Sequence, residues 1–445
     1  MRLKKDLYKT AYKSLALKFC GAGINFFLGI VIARTLGAAG FGVYSVVLSL
    51  TTLFGLLSSL GLPSFYTRET AILQSNRHYR AITYLYKSTA KLVLVTSSFL
   101  TLAAASLVYY RFLGIDIDDM AFFGWIFVIL IIPFHGLNLN RAGLLRGMHK
   151  IISADSPEVF LKPVVVLLMI FISIWFGISL NIEIIFAFQL FACILVFLII
   201  SKLISKELNA VSWNHIGKEK KYDGKIKKSW LVFLVISVLT ILQTQIPLYL
   251  ASFYIDSKSA GLYQSCILIV NVMALGLTAV NSPLQPKLAS AWNKNNVDAS
   301  QKLVGISVGL ASFLAVFFMI VIYISSEWIL GFYGEEFIDA KNTLIILLFG
   351  QLINAFCGPC ALMLIMANKQ YIVVWVYSIS IVLGIAVAQI LLPKYELNAI
   401  ALSSLVMMAT WNLIMTYICA RELGIKTLIF QNIKYLKVFG ATKKL

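Results

Sequence analysis

Carboxylates are the scarce side chain of this sequence. Only 19 Asp and Glu stand against 38 Lys and Arg in 445 residues, a formal net charge of +19. In the apolar stretches they are scarcer still, and no Asp or Glu is expected in the middle of any stretch long enough to cross a bilayer. A membrane cavity that selected organic cations, or exchanged protons or sodium, would want a buried carboxylate there, so the cargo of any such cavity here should be anionic. No Gly-rich run is followed by Lys-Ser/Thr, which excludes a pump driven directly by a nucleotide. The six cysteines all lie within or at the ends of apolar stretches. Cys357-Gly-Pro-Cys360 has redox or half-zinc spacing, but no His or carboxylate lies near it, and a packed helix kink explains it. No metal and no cofactor is expected. The basic first 13 residues run into an apolar stretch without a cleavage-site pattern, which reads as a retained first helix.

Apolar residues fill what the charges leave. At 60% hydrophobic and 13% charged, the chain is too apolar for a soluble globular protein. Crossing hydrocarbon takes about 20 residues, and twelve spans are expected, at roughly 15–36, 42–66, 90–111, 120–142, 160–180, 183–203, 229–251, 262–284, 303–325, 342–366, 371–392 and 398–419. The basic residues fall in alternate gaps between them. One side holds 33 of the 38, and the other holds only Arg34, Arg111, Lys258, Lys341 and Lys394. With the acidic residues divided 9 against 10, the sides carry about +24 and about −5. The positive-inside rule then puts both termini in the cytoplasm. Basic residues that border spans meet anionic lipid headgroups, so the membrane is the expected partner and nucleic acid is not.

The sequence repeats itself. Gly42-Val43-Tyr44 recurs as Gly261-Leu262-Tyr263, a shift of 219. The same shift carries Arg68 onto Lys287, His135 onto Asn354, and His149-Lys150 onto Asn368-Lys369. After a four-residue slippage, Lys206-Glu207-Leu208 matches Arg421-Glu422-Leu423. A duplicated six-helix unit follows, divided in the charged stretch Ser205 to Lys228, with an N-terminal bundle over 1–217 and a C-terminal bundle over 218–445. Six spans per copy make the repeat parallel. The expected fold is an all-α polytopic membrane protein, two six-helix bundles related by a pseudo-two-fold axis along the membrane normal. That plan suits alternating access around a midplane site. Ile425, Leu428, Ile429, Ile433 and Leu436 form a helical apolar stripe that predicts an amphipathic tail on the membrane surface.

Enzyme chemistry finds no footing. The longest outer loop, Ser326 to Lys341, holds Glu327, Glu335, Glu336 and Asp339 without a nucleophile–base pairing. Cations near the spans are the better candidates for a binding site. A Lys or Arg at the bilayer centre costs ~2.5–3.5 kcal/mol, so a deep one lines a polar cavity, whereas one near a helix end snorkels at little cost. Lys91, Arg146 and Lys162 fit the second reading. Arg68 and Lys287 fit the first because the repeat places them at equivalent positions, and Arg34 does because orientation does not explain an outer-side cation. In span four, Pro133, His135, Asn138 and Asn140 precede Arg141, a set suited to water or a partner helix and not to lipid. His135 is read as an interhelical hydrogen-bonding residue or as a contact for substrate or proton.

Ala33-Arg34-Thr35-Leu36-Gly37, Phe41-Gly42-Val43-Tyr44, Gly61-Leu62-Pro63 and Arg68-Glu69, in that order, resemble the opening of the Wzx-like polysaccharide flippases. These form the oligosaccharidyl-lipid branch of the multidrug/oligosaccharidyl-lipid/polysaccharide exporter superfamily. The run from Arg141 through Arg146 to Lys150 resembles that family's exit from span four, and Ala260-Gly261-Leu262-Tyr263 extends the similarity into the second half. The resemblance implies a flippase that moves an undecaprenyl-pyrophosphate-linked oligosaccharide to the outer leaflet for O-antigen or capsule, in the bacterial inner membrane and alongside polysaccharide-assembly proteins. It implies that Arg34, Arg68 and Arg141, with Lys287 by symmetry, hold the pyrophosphate. A drug or organic-cation antiporter of the same superfamily and a membrane glycan polymerase or ligase are the alternatives.

Overall fold

A computed structural model describes residues 2–75, 79–112, 119–213, 229–293 and 296–432. They fold as helices, with no strand among the described residues. In chain order these are α1 (Arg2–Ser58), α2 (Leu62–Ser75), α3 (Tyr79–Phe112), α4 (Asp119–Gly147), α5 (Ile151–Ser156), α6 (Lys162–Trp175), α7 (Ile182–Trp213), α8 (Ser229–Tyr254), α9 (Ser257–Asn293), α10 (Val297–Ile324), α11 (Ser326–Tyr333), α12 (Lys341–Cys357), α13 (Cys360–Met366), α14 (Gln370–Tyr395) and α15 (Leu397–Glu422). Ten helical stretches among the described residues are long and apolar enough to cross a membrane. One of them, Ala16–Ser58, takes up the first two expected spans, and the third expected span falls on α3. The chain is an all-α polytopic membrane protein.

Packing groups the chain into two units. Among the described residues, one comprises those within 12–36 and 43–238, the other those within 2–11, 37–42 and 239–432. The first is built around α4, which packs on α2, α3 and α7. Its core holds Leu62, Phe65, Tyr66, Ile82, Leu144, Leu145, Val196 and Ile200. In the second, α15 packs on α12 and α14, and α9 on α10. Its core includes Val304, Met363, Leu364, Val373, Tyr377, Met415 and Cys419.

The repeat read from the sequence returns as repeated contacts. Tyr44 is buried, and its hydroxyl accepts from Gln189 Nε2 at 2.5 Å. Tyr263 is buried likewise, with its hydroxyl 2.7 Å from Ser404 Oγ. Lys150 pairs with Glu207 at 3.2 Å, and Lys369 pairs with Glu422. His149 and Asn368 both end helical turns in the left-handed region, at φ 60° and 58°. Both halves also break a helix at the same place. In α1 the break is Gly37, at φ 70° and ψ 178°, a conformation glycine adopts freely. In the second half Asp256 separates α8 from α9 and caps the new helix, its Oδ1 accepting from the Ser259 N–H at 2.6 Å.

The restart after Gly37 lies in the second unit. There the Ala38 N–H, left open by the break, donates to Glu336 Oε1 at 2.7 Å, and Phe41 packs among Tyr333 and Phe337. Residues 38–42 run against 257–261 so closely that a β-carbon on Gly42 would collide with the Ser257 carbonyl and the Gly261 nitrogen. One on Gly261 would collide with the Ala38 carbonyl and the Gly42 nitrogen.

The stripe beginning at Ile425 does not form a surface helix over its described part. Residues 423–432 turn back onto the second unit, with Ile425 and Ile429 buried in its core. Gln301 secures them, its side chain bonding the Lys426 carbonyl at 2.9 Å, the Lys426 N–H at 2.7 Å and Asn432 Oδ1 at 2.8 Å. Ile433 and Leu436 lie outside the described residues. The Cys357–Cys360 segment is the helix break expected. Gly358, at φ 67°, separates α12 from α13, and both thiols are free and buried.

Candidate functional site

Helix α4 carries the polar residues of the first unit, with Pro133 inside it. His135 packs against Gly55 of α1, where any β-carbon would strike the imidazole. Small residues let polar helices approach this closely in a membrane. Three residues further on, Asn138 is fully buried and its Nδ2 donates to Glu158 Oε1 at 3.3 Å. Asn140 Nδ2 donates to the Gly136 carbonyl at 3.1 Å.

Glu158 bears on the expected scarcity of carboxylates in the spans. It lies inside the apolar stretch Ile151–Trp175, on a π-helical turn, Pro157–Leu161, between α5 and α6. A carboxylate therefore does fall within a span. The fifth span was expected from about residue 160, which left Glu158 just outside it. The fold admits Asp155, Glu158 and Lys162 by pairing. Glu158 lies 3.7 Å from Lys162 Nζ and 3.7 Å from His135 Nδ1. Buried Asp155 accepts from Arg146 Nε at 2.8 Å. The 3.7 Å separation from His135 is too long for a hydrogen bond and becomes an ion contact when the imidazole is protonated. Lys162 and Arg146, read as snorkelling residues, are both held in ion pairs.

The predicted binding residues stand on four different helices, α1, α2, α4 and α9. Arg141 leaves α4 on the side of α7, its Nε donating to Tyr86 Oη at 3.2 Å and its Nη1 to Ser201 Oγ at 2.7 Å, with the guanidinium 4.1 Å from the Phe197 ring centre. Planarity suits Arg to this mixed stacking and hydrogen bonding. Arg34 is exposed, one turn before the Gly37 break. Arg68 stands on α2 and Lys287 on α9, and their side chains lie outside the described residues. His135 meets Glu158, a partner that sequence spacing alone did not suggest. Its signal was Glu158 and Lys162 at i and i+4, a helical pairing distance. No group of three metal-ligating side chains occurs among the described residues.

Residues 9–292 match the model of a family described as polysaccharide biosynthesis protein. The chain belongs to this family. No curated protein matches it in sequence. Solved structures of the polysaccharide biosynthesis family's wider fold are similar over almost its entire length. An inward-facing multidrug resistance MATE transporter of the MOP superfamily aligns at 12% identity and a TM-score of 0.68, covering 98% of this chain and all of that one. The lipid II flippase MurJ, in an inward closed conformation, aligns at 16% identity and a TM-score of 0.64, covering 98% of this chain and 93% of that one. A MOP superfamily transporter from Pyrococcus furiosus, whose binding pocket is described as of reverse polarity, aligns at 11% identity and a TM-score of 0.64, covering 98% and 97%. At these identities the likeness is one of fold. This member of the polysaccharide biosynthesis family is a multi-pass membrane protein with a transporter's architecture.

Proposed function

We propose that the protein flips a polyprenyl-pyrophosphate-linked oligosaccharide from the cytoplasmic to the outer leaflet of a bacterial inner membrane, with both termini cytoplasmic, to supply a surface polysaccharide such as O-antigen or capsule. The observation that carries this reading is membership of a polysaccharide biosynthesis family by a chain with a transporter fold. A glycan-biosynthesis family and a fold shared with transporters together support transport of a glycan intermediate. Arg34, Arg68, Arg141 and Lys287 are the proposed pyrophosphate contacts, with His135 as a further polar or proton-bearing contact. Arg141 reaches that role only by exchanging the hydroxyl partners it now holds for phosphate oxygens. Bidentate donors suit that exchange.

Glu158 is the observation that favours the second reading, a cation antiporter. Its charge is already matched by Lys162, with His135 and Asn138 beside it, so an organic cation would have to displace an existing pair.

The test is leaflet translocation in proteoliposomes loaded with a polyprenyl-pyrophosphate oligosaccharide, followed by exposure to an external glycosidase. Wild type is expected to expose the glycan, and Arg68→Ala and Lys287→Ala to abolish exposure while the protein stays folded. Unchanged flipping in both variants returns those residues to orienting the chain. Failure to move any glycan lipid, with transport of a cationic dye, establishes the antiporter instead.

A further inference from the structure

The second unit contains a cavity of about 670 Å³ among α8, α9, α12, α14 and α15, within the range of small-molecule sites. Its wall mixes apolar side chains with uncharged polar ones. No Asp, Glu, Lys, Arg or His lines it among the described residues, while Gln243, Gln264, Asn271, Gln351 and Asn354 do. These amides sit in helical stretches that read as membrane spans, where a polar side chain faces a cavity or a partner because lipid cannot satisfy it. Some are committed within the protein. Gln243 Nε2 donates to Ser380 Oγ at 2.7 Å, and Asn354 Nδ2 to Gln351 Oε1 at 3.3 Å. The amides of Gln264 and Asn271 have no hydrogen-bond partner among the described residues, and Asn271 is exposed although it lies within a span. The aromatic rings of Tyr263, Tyr377 and Trp411 complete the wall. Trp411 stands edge-on to Tyr377, with centroids 5.5 Å apart at 87°.

We propose that this cavity is a glycan subsite that holds neutral sugar rings of the cargo, an inference that rests on the glycan-flippase reading. Each candidate ligand asks for different chemistry. Pyrophosphate needs Arg or Lys donors, and an organic cation needs a carboxylate; the wall offers neither. A sugar hydroxyl is donor and acceptor at once, as is a side-chain amide, and the apolar C–H face of a pyranose fits an aromatic surface. The two amides without a protein partner, Gln264 and Asn271, favour ligands that bring hydroxyls over ligands that lack them.

The full-length protein in nanodiscs is titrated with chitotetraose and maltotetraose as neutral probes, with inorganic pyrophosphate, and with tetraphenylphosphonium as the cation. At least one tetrasaccharide is expected to bind wild type. The Gln264→Leu/Asn271→Leu double variant is expected to weaken it about tenfold, as is Trp411→Ala, while Trp411→Phe retains it and pyrophosphate binding does not change. Retention by Trp411→Phe shows that the losses are not losses of fold. Absence of saccharide binding up to the solubility limit overturns the subsite, as does equal binding by the variants. Tetraphenylphosphonium binding that the same substitutions remove also overturns it, in favour of a cation pocket. Saccharide binding here by a protein that moves no glycan lipid sinks the flippase reading and leaves the subsite standing. Glycan flipping whose KM the variants do not change, with equal saccharide binding, does the reverse.

Discussion

At the scale of single residues, the ion pairs inside the first unit decide how charge is tolerated in a span. Glu158 and Lys162 are each about four-fifths buried, so removing one partner strands the other. Breaking such a pair costs about 3–5 kcal/mol, whereas replacing both partners by apolar groups of similar volume is near neutral. Lys162→Met is therefore expected to lower thermal stability in detergent markedly, and Glu158→Gln/Lys162→Met to recover most of the loss. Equal melting of the single and double variants would show that the pair carries no coupling. Sequence alone located His135, Asn138 and Arg141 on one helix and judged them unsuited to lipid, which the contacts to Glu158, Tyr86 and Ser201 explain. It missed that Glu158 is internal, because an isolated helix gives no sign that His135 and Asn138 wait on a neighbour. Pairing across helices is a tertiary fact, and hydropathy counts each charge as if it stood alone.

Among elements, apolar period and repeated motifs were the legible features. The Gly42 and Tyr44 motif led to two buried tyrosines with equivalent hydrogen bonds, and the matched Lys-Glu-Leu and Arg-Glu-Leu runs led to equivalent ion pairs. The stripe at Ile425 was legible as apolar but not as to what it covers. An amphipathic pattern suits a lipid surface or a protein groove equally, and the choice here depends on Gln301, more than a hundred residues away in sequence. Gln301→Leu removes the bonds to Lys426 and Asn432. At about 1 kcal/mol for each net bond, it is expected to loosen the segment. Limited proteolysis should then cut near residues 423–432 several-fold faster, with the rest of the protein intact; an unchanged rate would mean that burial of Ile425 and Ile429 holds the segment without Gln301.

For the molecule as a whole, the charge distribution gives the membrane potential something to act on. Moving one charge across the membrane is worth about 2.3 kcal/mol per 100 mV. On the proposed reading a headgroup with two negative charges is driven outward by several kcal/mol when the interior is negative. Flipping in vesicles is expected to speed up when an inside-negative potential is imposed and to slow when it is reversed. Indifference to the potential would remove it as the source of direction.

The crossing of residues 38–42 with 257–261 is reciprocal. Gly42 meets the backbone of Ser257 and Gly261, and Gly261 meets that of Ala38 and Gly42, four residues related in pairs by the shift of 219. Such self-complementarity is how two identical subunits meet across a two-fold axis. A homodimer must accept every substitution at that contact twice, once in each copy. Here the two glycines are separate codons of one chain, so each side of the crossing can be altered while the other is left as it is.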